Sequence, residues 1–408
     1  MKLDWWLTGI CSARAFTQTV AMTYAAALPV LQKEWGMSAA AAGGIASGYQ
    51  IGYAISLFAL SSLTDLVGAK RVYLGSISAT AALSLAFALF ARGYVSAMIL
   101  YTLVGISLGG TYTTGLIILA DQYPVHRRGM ASGFFIASTS ISYVLSLALS
   151  GITIPMGGYK LSFLVTGLGP LAGAALAWIT LIKTKVSFVK RQDQQTFSRE
   201  VLRNEPARLL ISGYTFHAWE LLGMWAWAPA FLTSCLALRG LQAVSAAGLG
   251  AHFAAALHAA GLVASLSMGA LSDRLGRARV IMVLSAISTM CSFVFGWSIG
   301  WPFIIVIGIG LIYAFSSLGD SPVLSAALTE VVTPSYLGSA FGLRSLLGFG
   351  AGAISPLLFG AILDSTNPVS SGEGYYLTWG WAFSVLGVAG FGAVWAAYSL
   401  SKAKSIDS

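Results

Sequence analysis

Seven ionisable residues fall inside long apolar runs of this 408-residue sequence: Arg14, His217, Glu220, His252, His258, Asp320 and Arg344. A charge in a bilayer core is expensive and faces a bundle interior or a water-filled cavity, so each is a candidate for handling a solute or an ion. The stretch GYTFHAWELLGMWAWAP, residues 213–229, holds two of them, His217 and Glu220. Their three-residue spacing puts both on one helical face with Tyr214 and Met224. An acid beside an imidazole is a chemistry for moving protons. On the first run, Arg14, Thr17 and Gln18 share a face in the same way. A guanidinium beside an amide suits a carboxylate gripped at two points. At about 1.5 Å of rise per residue, Arg14 and His217 come out near the midplane and Glu220 one turn further out. Asp320 and Arg344 each come out about 10 Å inside one end of their runs, close enough to meet.

Each of these groups has a plainer reading as well. Arg14 and Glu220 could form a structural ion pair, and Asp320 with Arg344 is either a gate or structural glue. Tyr112 is a lining candidate in its Gly- and Thr-rich run. Trp225 is expected to form an aromatic wall, while Trp219 and Trp227 read as belt or lipid-facing residues. His252 and His258 read as packing or cavity-lining residues, and with His217 they give no metal-site spacing. No phosphate-binding glycine loop is present to bring ATP.

The elements that must position these residues follow from composition. The chain is 57% hydrophobic and 9% charged, against roughly 25% charged for a soluble domain. Twelve runs are long enough for spanning helices, at about 20 residues each. They lie at 5–30, 41–63, 72–91, 95–119, 131–154, 161–183, 207–236, 246–270, 279–299, 302–327, 338–362 and 378–400. Lys70, Arg71, Arg127, Arg128, Arg274, Arg277 and the basic residues of 183–208 fall on one side of the membrane. Only Lys33, Arg92, Lys160 and Arg239 fall on the other, which puts both termini in the cytoplasm. The net charge of +9 then reflects topology and anionic lipid, not nucleic acid. Cys11, Cys235 and Cys291 suggest no disulfide framework.

The expected organisation is a six-helix bundle over 1–184, a cytoplasmic linker over 185–206 and a second bundle over 207–408. The halves repeat. SSLTDLVGAKRVYL (61–74) matches GALSDRLGRARVIM (269–282), and DQYPVHRRGMASG (121–133) matches EVVTPSYLGSAFG (330–342). Asp65 falls on Asp273 and Gly68 on Gly276. Lys70 and Arg71 follow the first pair, Arg274 and Arg277 the second. An aspartate here could sit against a neighbouring helix N-terminus, and the basic residues could pair with acids at other helix ends.

On these loops the chain resembles the major facilitator superfamily, whose signature reads roughly G-x-L-a-D-R-x-G-R-[RK]. GALSDRLGRAR matches closely. The first copy departs at Ser61, Leu66 and Ala69. The resemblance covers essentially the whole chain. It implies an all-α membrane fold of twelve helices in two pseudo-symmetric bundles, with spans one and seven lining a central cavity. It also implies gating roles for both loops. Tyr101 stands where proton-coupled members often carry Arg, and ITIPMGG (152–158) only partly matches the antiporter pattern.

The expected function is secondary transport by alternating access, not an enzyme, with no cofactor. A small organic anion is the expected substrate and protons the expected coupling ion, acting on a monomer in the inner membrane. Arg14, Thr17, Gln18, Tyr112, Tyr214, His217 and Trp225 are the expected substrate contacts. Glu220 is the expected coupling acid, with His217, Asp320 and Arg344 as partners. The alternatives left open are a polyspecific efflux pump, a transport-dead sensor and a membrane-embedded enzyme.

Overall fold

A computed structural model describes residues 4–185, 201–333, 336–367 and 376–403; of Ser62, Asp65, Val125 and His126 the backbone alone is described. Most of the expected linker, 186–200, lies outside these residues, as does the side chain of Asp65. Every regular element among the described residues is a helix. In chain order they are α1 (Trp5–Thr17), α2 (Thr23–Trp35), α3 (Ala39–Val67), α4 (Ala69–Phe90), α5 (Tyr94–Gln122), α6 (Val125–Leu181), α7 (Glu205–Ala237), α8 (Ala243–Leu275), α9 (Arg277–Phe295), α10 (Phe303–Val331), α11 (Leu337–Thr366) and α12 (Gly380–Lys402).

Two elements differ from the expected runs. The first run is broken: α1 ends at Thr17, a 3-10 turn covers Gln18–Val20, and α2 resumes at Thr23. Backbone groups freed at such a break must find partners in the bundle, because lipid offers none. Here Ser146 Oγ accepts from the Met22 N–H at 3.2 Å, and Tyr101 Oη donates to the Ala21 carbonyl at 2.9 Å. The second difference is α6, whose 57 residues would measure about 85 Å as one helix. That is far beyond a hydrocarbon core of roughly 30 Å. Gly157 (φ −156°, ψ 24°) and Gly158 (φ 66°, ψ −166°) break it after Pro155, so it carries the expected fifth and sixth spans.

Contacts divide the chain into two compact units. Unit 1 holds Met1–Met37, Gly48–Gln192 and Gln242–Ala255; unit 2 holds Ser38–Ser47, Asp193–Leu241 and Ala256–Ser408. The core of unit 1 gathers Leu7, Ile10, Tyr73, Ile77, Ile118 and Phe135 from α1, α4, α5 and α6. The core of unit 2 gathers Leu210, Ile281, Leu284, Val323, Leu324 and Leu400 from α7, α9, α10 and α12. Trp227, read as belt or lipid-facing, is instead fully buried in unit 2. It stacks on Phe359 and donates to the Pro356 carbonyl at 3.0 Å.

Caps set the helix starts. Asp4 accepts from the Leu7 N–H at the head of α1, while its other carboxylate oxygen accepts from Tyr123 Oη. The Tyr123 hydroxyl, with the Leu7 amide second, holds the Asp4 carboxyl below the usual carboxylate range. Asn204 caps α7 through the Ala207 N–H and donates to the Val331 carbonyl ending α10. In unit 2 the Ala39 and Ala40 N–H groups, at the start of α3, donate to the two oxygens of Asp364, both at 2.8 Å. A carboxylate on two free amides at a helix N-terminus suits both the orphan donors and the helix dipole.

Candidate functional site

In unit 1 the site is built around Arg14, which is only 3% exposed. Its Nε donates to Thr139 Oγ1 at 2.8 Å, and its guanidinium carbon lies 4.5 Å from the Phe135 ring centre and 5.2 Å from that of Tyr112. Among the described residues it makes no ion pair, and Nη1 is buried with nothing to donate to. The neighbours expected to share its face divide. Gln18 stays one turn above, since its N–H still bonds the Arg14 carbonyl across the start of the break. Thr17 turns its hydroxyl back to the Ala13 carbonyl at 2.7 Å and lies against Gly173 of α6, so it supports packing.

In unit 2, α7 presents Tyr214, His217 and Glu220 on its buried face, as the spacing predicts. Glu220 Oε1 accepts from the hydroxyls of Ser288 and Ser292, each at 2.6 Å, and Ser292 is in turn bonded to Tyr313 Oη. The partner of His217 is Asp320, with Nδ1 and Oδ1 2.9 Å apart. This corrects the expected meeting of Asp320 with Arg344. The polar face of α10 turns toward α7, and Ser317 on that face also reaches Met224 Sδ. Arg344 finds Ser325 instead, with Nη1 donating to Oγ at 2.7 Å, and lies over Tyr214 and Phe341. Trp225 stacks on His258 with centroids 3.6 Å apart, and both are buried. His252 rests against Gly151 in unit 1.

The repeated loops have matching backbones. Gly68 (φ 88°) and Gly276 (φ 90°) are the single residues joining α3 to α4 and α8 to α9. A left-handed φ of this size favours glycine, because a Cβ would clash with its own backbone. The Gly68 N–H bonds the Thr64 carbonyl and the Gly276 N–H bonds the Ser272 carbonyl, the same contact 208 residues apart (276 − 68 and 272 − 64). The side chains differ. Lys70 donates to the Ile182 and Thr184 carbonyls past the end of α6. Arg277 pairs with Asp273 and with Glu330, the latter through Nη2 at 2.9 Å. Asp273 therefore pairs with the cation at the first residue of α9.

Several site residues are not singled out by the sequence reading. Ser285, Ser288, Thr289 and Ser292 repeat at i, i+3, i+4 and i+7, a readable hydroxyl stripe on α9. Ser138, Ser142, Ser146 and Ser150 repeat every fourth residue beside Thr139 on α6. Phe135 and Asp364 carry no such signal.

Among the described residues, eight helices are long and apolar enough to cross a membrane, and one of them is the doubled α6. A sequence model of the Major Facilitator Superfamily matches residues 10–319. The chain is 28% identical over 406 residues to a gallate transporter of Pseudomonas putida, covering 90% of this chain and 84% of that one. It is 25% identical over 370 residues to a hexuronate transporter of Bacillus subtilis (strain 168), covering 84% of each. Its fold matches the crystal structure of a bacterial homolog of the human lysosomal transporter Spinster, inward-facing and occupied. That match has a TM-score of 0.77 at 14% identity over 98% of both chains. With the family model matching residues 10–319 and the spans long enough to cross a membrane, the chain belongs to the Major Facilitator Superfamily and is a multi-pass membrane transporter.

Proposed function

We propose that the chain carries a small organic anion across the cytoplasmic membrane by alternating access, coupled to protons, with Arg14 holding the anion. The observation that carries this reading is the unmatched Arg14 cation. Burying an ion costs several kcal/mol even after relaxation. Two aromatic faces return about 0.5–2 kcal/mol each, and one hydrogen bond to a charged group about 1.5–3. With Nη1 unmade, a carboxylate is the partner the guanidinium lacks. Gallate and hexuronates, named for the two relatives, are both small carboxylates.

Glu220 is the proposed proton site. It is buried, and the hydroxyls of Ser288 and Ser292 both donate to its Oε1. His217, held by Asp320, lies one turn away on the same face. The excess of basic residues in one set of loops supports a cytoplasmic position for both termini. We assign gating to the loops of Asp65, Gly68, Lys70 and Arg71 and of Asp273, Arg274, Gly276 and Arg277. The working form is taken as a monomer in lipid.

Flux in liposomes tests this. Purified protein should accumulate labelled carboxylates, and not lipophilic cations, when a pH gradient is imposed. Glu220→Gln should still exchange substrate across the membrane but lose accumulation. A Gln variant that still concentrates substrate removes Glu220 as the coupling acid; wild-type protein that moves cations but no carboxylate removes the anion reading.

A further inference from the structure

We propose that Arg344, in unit 2, is a carboxylate-binding residue in its own right, with its guanidinium held ready by Tyr214, Phe341 and Ser325. The proposal rests on an organic anion being the cargo, and it does not depend on Arg14.

Arg344 is 6% exposed on α11. Its guanidinium carbon lies 4.0 Å from the ring centre of Tyr214 and 4.6 Å from that of Phe341, three residues earlier on the same helix. The Tyr214 ring reaches this place because position 348, one turn on from Arg344, is glycine. A Cβ there would come within 2.6 Å of Tyr214 Cε1. Aromatic faces fix the plane of a guanidinium without using its N–H groups. Nη1 donates to Ser325 Oγ at 2.7 Å, which fixes the rotation in that plane. Nε, on the other edge, is buried and donates to nothing among the described residues.

The acid expected beside Arg344 lies against His217 instead. Asp320 lies 2.9 Å from His217 Nδ1, and the His217 ring is 5.5 Å from that of Tyr214. Among the described residues no acid forms an ion pair with Arg344. A residue serving only to tie α10 to α11 through Ser325 would need one donor. A planar cation oriented on three sides with a free Nε edge is what bidentate carboxylate recognition uses. The chemical class is a carboxylate on a small, flat or ring-shaped scaffold, because the walls of the site are the Tyr214 and Phe341 rings.

The test is calorimetric titration of the full chain in lipid nanodiscs with two probes, gallate (one carboxylate) and isophthalate (two), for wild type, Arg14→Gln, Arg344→Gln and Arg344→Lys. Losing a hydrogen bond to a charged group should weaken isophthalate binding by about tenfold or more in Arg344→Gln. Arg344→Lys keeps the charge over Tyr214 but loses the fork, so it should weaken binding as well. This variant stands in if the Gln variant does not fold. Wild-type affinity for both probes in a folded Arg344→Gln or Arg344→Lys protein overturns the proposal. If Arg14→Gln alone loses binding, this proposal fails and the Arg14 reading stands; if the Arg344 variants alone lose it, the reverse holds. A wild-type protein that binds neither probe overturns both.

Discussion

Replacing Tyr101 by Phe should loosen the break in the first span while leaving the aromatic packing around it intact. Tyr101 is 3% exposed and stacks on Tyr49 with ring centres 4.6 Å apart, with Tyr24 at 5.0 Å and Phe87 at 5.4 Å. Phe keeps every one of these ring contacts. Only the hydroxyl that serves the Ala21 carbonyl is lost. A buried polar group left without its partner costs about 1–3 kcal/mol, and no water in the bilayer core replaces the donor. The expected loss is therefore about 1–3 kcal/mol in reversible unfolding followed in mixed micelles. Ser146→Ala removes the acceptor of the adjacent Met22 N–H and should cost a similar amount. Because both side chains serve one break, the double variant should depart from additivity by about 0.5 kcal/mol or more. Arg14 lies one turn before the break, so anion affinity should fall along with stability. A Tyr101→Phe protein as stable as wild type would show that this hydroxyl does not hold the bend.

Asp364→Ala should cost about 0.5–2 kcal/mol of stability, the range for a lost helix cap, with Asp364→Asn retaining part of it; equal stability of all three proteins would dismiss the cap. Asp4 has its folded pKa lowered, so its contribution is present above the unfolded value of about 3.9 and is lost as pH falls through the folded value. Tyr123→Phe removes the largest cause of that shift, so its stability deficit should be full near neutral pH and vanish in acid; a deficit unchanged down to strong acid would contradict this.

Much of the architecture is legible in the sequence because lipid enforces it. Apolar length marks the spans, and the Asp–Gly–basic pattern marks the paired loops whose backbones turn out to match at Gly68 and Gly276. The face holding Tyr214, His217 and Glu220 is legible too, since spacing alone decides which residues share one side of α7. Partners across helices are not, because a single sequence does not say which neighbour a face meets. Asp320 could have met Arg344 or His217 on depth alone, and the turn of α10 toward α7 decided it. The break at Gln18 is hidden for a related reason. It exists because Ser146 and Tyr101, distant in sequence, supply what the interrupted helix lacks. The serine stripe on α9 is visible as a pattern, but its meaning depends on Glu220 lying opposite.

The central claim, an organic anion held by Arg14, is tested most directly by uptake of labelled carboxylate into liposomes by Arg14→Lys beside wild type. Lysine keeps the charge and loses the planar fork that reaches Thr139 while leaving Nη1 free. A folded variant whose carboxylate affinity and uptake fall by about tenfold or more is the expected result. Uptake by Arg14→Lys and by Arg14→Ala with wild-type kinetics would contradict it.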